Sequence, residues 1–264
     1  MKITLRSEKN HFAFNRHWMP PASLLTGLLL WWALTHTLQL PDFILPTPQM
    51  VFARFMQVAS NGSLMQHTLI TLLEVVSGML TGVITASVLG YLLAKSPALE
   101  HAAAPYIVAS QAVPVVAIAP LLVIWFGAGL FSKILITALT VFFPVLVNTI
   151  VGLRSVPEEL HDLFRSMRAT PLQTFTRLEV PAAMPIFLGG LRIGATLSVI
   201  GAVVGEFVGS DQGLGFLINV ARGQYDTAMV FVTIFTLVTL AMSIYWVILF
   251  SEKRLLSWQK KADL

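Results

Sequence analysis

Glu74 and Glu206 stand inside long apolar runs, where a carboxylate could hold a coupling ion, act as a gate or serve as a structural partner. Gln111, Pro114 and Pro120 in one run, with Pro144 and Asn148 in the next, could line a polar path. Pro114, Pro120 and Pro144 each remove one helical hydrogen bond, freeing the carbonyls of Ser110, Val116 and Thr140. In hydrocarbon a free carbonyl needs protein or a watery cavity to meet it. A pathway between these two runs, with Gln111, Pro114, Asn148 and Glu206 on it, is therefore expected; prolines that simply kink packed helices are the alternative. Other chemistry finds no support. The chain has no cysteine, no G-x4-G-K-[ST] phosphate loop, no H-E-x-x-H or paired His/Asp metal spacing, and no G-x-S-x-G nucleophile turn. No catalytic residue, metal or cofactor is expected.

Such residues need elements to hold them. Of 264 residues 56% are hydrophobic and only 11% charged, with a mean hydropathy of +0.77, whereas an ordinary soluble domain carries about 25% charged residues. Crossing about 30 Å of hydrocarbon at 1.5 Å per residue takes roughly 20 apolar residues. Runs of that kind occupy 21–40, 68–94, 102–126, 130–152, 184–208 and 228–250. The expected fold class is an all-α membrane protein with six transmembrane helices. It forms one polytopic domain over 21–252, between an N-terminal segment 1–20 and a tail 253–264, and the lipid bilayer is its first partner. The first run is too long for a signal-peptide core and lacks an A-x-A cleavage pattern, so it is read as an anchor.

The sequence pI near 9.6 does not indicate nucleic acid, because the basic residues are segregated. Lys2, Arg6, Lys9 and Arg16 precede the first run; Lys95, Arg154, Arg165, Arg168 and Arg177 fall between later ones; Lys253, Arg254, Lys260 and Lys261 follow the last. With an even number of spans these segments share one side, and their charge makes that side, with both termini, cytoplasmic. Arg54, Lys133 and Arg222 fall opposite, and Arg192 lies in the fifth run, where it can snorkel to headgroups. On the outer side, Thr47 can cap a helix beginning at Pro48 and ending near Asn61-Gly62, with Val51, Phe52, Phe55, Met56 and Ala59 on one face. That reads as an interfacial helix. Residues 209–226 read as a re-entrant or interfacial loop, or as a plain glycine-rich connector. Gly190, Gly194 and Ser198, then Gly201, Gly205 and Gly209, recur every fourth residue and suit close helix packing.

The segment 153–182 breaks the apolar pattern. Immersing Arg154, Glu158, Glu159, Asp162, Arg165, Arg168, Arg177 and Glu179 at about 2.5–3.5 kcal/mol each would cost on the order of 20 kcal/mol. It therefore leaves the membrane. Ser155 with Glu158, and Thr170 with Gln173 and Pro171, fit capping boxes, so two short helices with a break at Thr170 are expected. Leu160, Leu163, Phe164 and Met167 make one apolar stripe, which Leu172 and Phe175 extend. The stripe either packs on this chain's own helices or inserts into a groove of a separate cytoplasmic protein.

The segment resembles the cytoplasmic signature of membrane subunits of ATP-binding-cassette importers, E-A-A-x3-G-x9-I-x-L-P. The match runs from Asp162-Leu163-Phe164 through Arg168 to Leu178-Glu179-Val180-Pro181, with the spacing kept throughout. Arg168 departs from the family glycine, which lets the chain turn with positive φ, and implies a different turn or a more continuous helix. VASQAVPVVAIAPLLVIWFGAG (108–129), FFPVLVNTIVGLRSVPEEL (142–160) and GAVVGEFVGSDQGLGFLI (201–218) resemble the nitrate, sulfonate and taurine branch, with coverage from about Leu45 to Glu252. The resemblance implies an importer permease of the bacterial cytoplasmic (inner) membrane, working as a homodimer. Its partners would be a separate ATPase subunit that binds the ATP and a periplasmic or extracellular substrate-binding protein. The segment 153–182 would be its coupling loop, with Leu160, Asp162, Leu163, Phe164, Met167, Arg168, Ala169, Thr170 and Pro171 forming the ATPase contact. The substrate would be a small solute: a sulfonate, a nitrate-like anion or a vitamin-precursor pyrimidine. The rival readings are a self-sufficient channel or ion-coupled transporter using Glu74 and Glu206, and a membrane-embedded enzyme.

Overall fold

The computed structural model describes the backbone of residues 19–38 and 40–257; Lys2, Arg6, Lys9, Arg16, Lys260 and Lys261 lie outside the described residues. Within these bounds every regular element is a helix. In order they are α1 (Met19–Thr37), α2 (Pro48–Ser60), α3 (Ser63–Lys95), α4 (Pro97–Ala112), α5 (Val115–Phe126), α6 (Leu130–Arg154), α7 (Glu158–Ser166), α8 (Pro171–Thr174), α9 (Val180–Gly209), α10 (Leu214–Gly223) and α11 (Thr227–Leu255).

α6 is the axis of the bundle, packed against both α3 and α9. Its Ile136, Val141, Val145 and Leu146 are fully buried. Small residues on the neighbours permit this approach: a methyl added at Gly82 of α3 would sit 2.7 Å from the Ala138 carbonyl oxygen, and one at Gly201 of α9 2.8 Å from the Thr137 Cα. Gly190, Gly194 and Gly205 likewise meet Asn148, Val141 and Lys133. The recurring glycines of α9 thus serve packing within one chain. A second series on α3, Gly78, Gly82, Ala86 and Gly90, is buried in the same manner.

Four helical stretches are long and apolar enough to cross a membrane: Ser63–Lys95, Leu130–Arg154, Pro171–Gly209 and Thr227–Leu255. The expected third span, 102–126, is instead the pair α4 and α5, bent by 94°. Pro114 supplies no N–H and pushes Val113 into an extended conformation, φ −83° and ψ 117°. Pro120 and Pro144 remain within continuous helices. With the bent pair taken as one span, five crossings are accounted for among the described residues. The sixth rests on α1, whose opening residues border the undescribed chain.

The structure adds detail to three further expectations. α2 begins as foreseen, with the Thr47 side chain accepting from the Met50 N–H and Pro48 at the first position, but its apolar face divides. Val51 and Val58 are buried, while Phe52, Phe55 and Met56 stay exposed, because only a stripe seven residues apart meets α11 and α3. Residues 209–226 hold the helix α10, and Arg192 pairs with Glu252 of α11, Nε to Oε2 3.0 Å.

Candidate functional site

The polar segment 153–182 is built from the end of α6 outward. Ser155 does not cap α7, because it closes α6, its N–H donating to Val151 O and its hydroxyl to Gly152 O at 2.7 Å. Pro157 precedes α7 instead, with Glu158 and Glu159 complementing the positive end of the helix dipole. α7 ends in a Schellman turn: the Arg168 N–H donates to Arg165 O and the Ala169 N–H to Phe164 O. Arg168 itself takes φ 56°. It therefore adopts the left-handed conformation of the family glycine, and neither a different turn nor a continuous helix results. The Thr170 capping box forms with both bonds, at 2.8 and 3.3 Å, and Pro171 is the first residue of α8.

This turn presents the apolar stripe rather than hiding it. Leu160, Leu163, Met167 and Leu172 are 40, 50, 70 and 70% exposed; Phe164 and Ala169 are half-buried, and Asp162 pairs with Arg165 in solvent at 2.9 Å. Beneath the stripe the loop is anchored. Val156, Leu178 and Glu179 are buried, and the Phe175 ring packs edge-on against Tyr91 of α3 at 5.1 Å. A wide π-helical turn over Phe175–Glu179 then joins α8 to α9 without interruption.

The four pathway candidates occupy separate settings. Gln111 and Pro114 are exposed at the α4–α5 bend. Asn148 is half-buried between α6 and α9, its amide donating to Pro144 O at 2.8 Å. Glu206 is 1% exposed, closed off by α3 and α10. A cavity of about 600 Å³ touches none of them; α1, α2, α3 and α11 line it with apolar side chains such as Trp31, Phe55 and Val232.

Glu206 belongs to an arrangement that residue types alone did not disclose. The first N–H groups of α10 have no helical partner. The Gly213 N–H donates to His67 Nδ1 at 3.0 Å, the Leu214 N–H to Thr71 Oγ1 at 2.8 Å, and the Gly215 N–H to Glu206 Oε2. Thr71 Oγ1 in turn donates to Glu206 Oε1 at 2.6 Å. Next to it Lys133 Nζ lies 3.0 Å from Glu74 Oε1 and donates to Ser210 Oγ at 2.6 Å. Lys133 is thus buried in the bundle rather than displayed outside it. Both acidic candidates hold helices together: Glu206 joins α9 to α3 and α10, and Glu74 joins α3 to α6. The run of Gly213, Leu214 and Gly215 seven residues beyond Glu206 was the signal available.

An exposed amphipathic helix pair with the signature spacing thus extends from a polytopic helical bundle. Residues 78–257 match the family described as the binding-protein-dependent transport system inner membrane component. The chain belongs to that family. It is similar over most of its length to the riboflavin transport system permease protein of Chloroflexus aurantiacus, 45% identical over 239 residues, 90% of this chain and 89% of that one. The formylaminopyrimidine transport permease protein of Halalkalibacterium halodurans is 36% identical over 243 residues, 92 and 97% of the two chains. The taurine transport system permease protein of Escherichia coli is 28% identical over 241 residues, 89 and 88%. The protein is therefore a multi-pass ABC-importer permease subunit, and its family works with an ATPase and a substrate-binding protein.

Proposed function

We propose that residues 21–252 act as one permease domain of the bacterial cytoplasmic membrane. Its six crossings, α1 included, pair with a second copy to form the translocation path, both termini facing the cytoplasm. α7 and α8 dock in a groove of the ATPase subunit, which alone binds nucleotide. The single observation that carries this reading is the exposed ridge of Leu160, Leu163, Met167 and Leu172, held outward by the Arg168 turn. Closure of two ATPase subunits on ATP displaces the docked helices and biases the bundle between outward and inward access. Phe164 and Ala169 seat the ridge from beneath, Asp162 sits at its edge, and Thr170 with Pro171 fixes the start of α8.

The proposed substrate class is a nitrogen heterocycle of the pyrimidine or flavin kind. What supports it is a gradient of similarity: 45% identity to a riboflavin permease, 36% to a formylaminopyrimidine permease and 28% to a taurine permease. Gln111, Pro114 and Asn148 remain the proposed polar wall of the path, with Glu206 at its outer end as the strut of α10.

Replacing Met167 or Leu163 by glutamate tests the docking. Tagged permease purified from the membranes of its source organism is expected to bring down an ATPase subunit, and either variant to lose it while keeping its own melting temperature. Undiminished association in both variants would overturn the role assigned to the ridge.

A further inference from the structure

One carboxylate beneath the ridge touches three elements at once. Glu179 lies in the wide turn that enters α9 and is 2% exposed. Its Oε1 accepts from the Nζ of Lys95, the last residue of α3, and lies 3.3 Å from His161 Nε2 of α7. His161 Nδ1 faces Pro157 O at 3.4 Å, so both ring nitrogens meet acceptors. The Lys95 ammonium also lies 5.6 Å from the centre of the Tyr91 ring, the ring that packs on Phe175. A cavity of about 180 Å³ bordered by Lys95, Arg154, Val156, His161 and Glu179 adjoins the cluster. At its rim Arg154, closing α6, pairs with Glu100 of α4. Glu179 occupies the variable position of the I-x-L-P part of the signature, so its side chain is not dictated by that pattern.

A helix that is pushed by a partner moves the bundle only if it is tied to the membrane helices. α7 is nine residues long and has no buried residue of its own. Its connection to α6 passes through the short Ser155–Pro157 link, and its connection to α8 through the Arg168 turn. The polar tie at Glu179 is what joins its middle to α3 and α9. We infer that Glu179 is a positioning residue that clamps the docking helix α7 to α3 and α9, so that the three move as one body when the ATPase subunits close. This rests on the docking role proposed above. Lys95 carries the α3 arm of the clamp and His161 the α7 arm.

The absence of cysteine lets spin labels be placed at will. One label at Ser166→Cys, exposed on α7, and one at Leu92→Cys, exposed near the inner end of α3, report the distance between the two helices. The permease is purified with its ATPase subunit and measured without nucleotide and with ATP and vanadate. In the wild-type background the distance is expected to stay narrow and unchanged between the two states. Glu179→Gln should retain the ATPase, yet show a shifted and broadened distance with ATP and vanadate. Glu179→Asp, which keeps a carboxylate for Lys95 and His161, should come closer to the narrow wild-type distance than Glu179→Gln does, which a loss of general packing would not allow. Should Glu179→Gln fail to fold, His161→Ala cuts only the α7 arm and is expected to give the same broadening. A distance that moves with nucleotide in the wild-type background, or that stays narrow in both Glu179→Gln and His161→Ala, overturns the clamp. A wild-type permease that retains no ATPase overturns the docking role, and the inference with it.

Discussion

Arg168 holds a left-handed backbone conformation, φ 56°, that costs a side-chain-bearing residue about 1–2 kcal/mol. Arg168→Gly is therefore expected to raise the melting temperature of the solubilised protein, by a stability gain of up to about 1 kcal/mol after glycine's greater unfolded-state entropy is counted. Arg168→Val should lower it. Glu206 poses the opposite case, since two bonds converge on it in a site closed to solvent. Glu206→Ala leaves the buried Gly215 N–H without its acceptor, at about 1–3 kcal/mol, whereas the Thr71 hydroxyl still has His67 O at 3.2 Å. Thermal unfolding should register that loss, and Glu206→Gln, which keeps one acceptor oxygen, should lose less. The presence of a carboxylate in an apolar run was legible; that it caps a neighbouring helix was not, because one partner is the backbone N–H of Gly215 and the other, the Thr71 hydroxyl, lies on a distant helix.

Helix boundaries followed from local chemistry wherever the deciding bond is local. Thr170, Pro171 and Gln173 cap α8, and Thr47 with Pro48 starts α2, each within one turn. Where neighbours compete, local signals misled: Ser155 is claimed by α6 before α7 can use it, and Pro114 splits what hydropathy joins. Interhelix spacing adds a prediction at this scale. Gly82→Leu on α3 drives a side chain into the Ala138 carbonyl of α6, and overpacking of this kind costs about 1–3 kcal/mol. A Cβ added at Gly189 on α9 meets nothing within 4 Å, so Gly189→Leu starts into open space. Size-exclusion profiles after heating should therefore show Gly82→Leu losing monodisperse protein at a temperature that leaves Gly189→Leu intact.

For the whole molecule, the proposed topology sets the α2 end outward and the α7–α8 end toward the cytoplasm. A membrane-impermeant maleimide applied to intact cells is expected to label Ser60→Cys and to spare Ser166→Cys until the membrane is opened; the reverse pattern would invert the topology. Hydropathy and the signature spacing were sufficient for the membrane class and the family, since each depends on partition between water and lipid or on contacts a few residues apart. Tertiary structure alone decided which carboxylates are struts, that α6 is the axis, and that Glu179 gathers α3, α7 and α9. Those facts depend on groups separated by tens of residues along the chain, brought together only when glycine-faced helices close on one another.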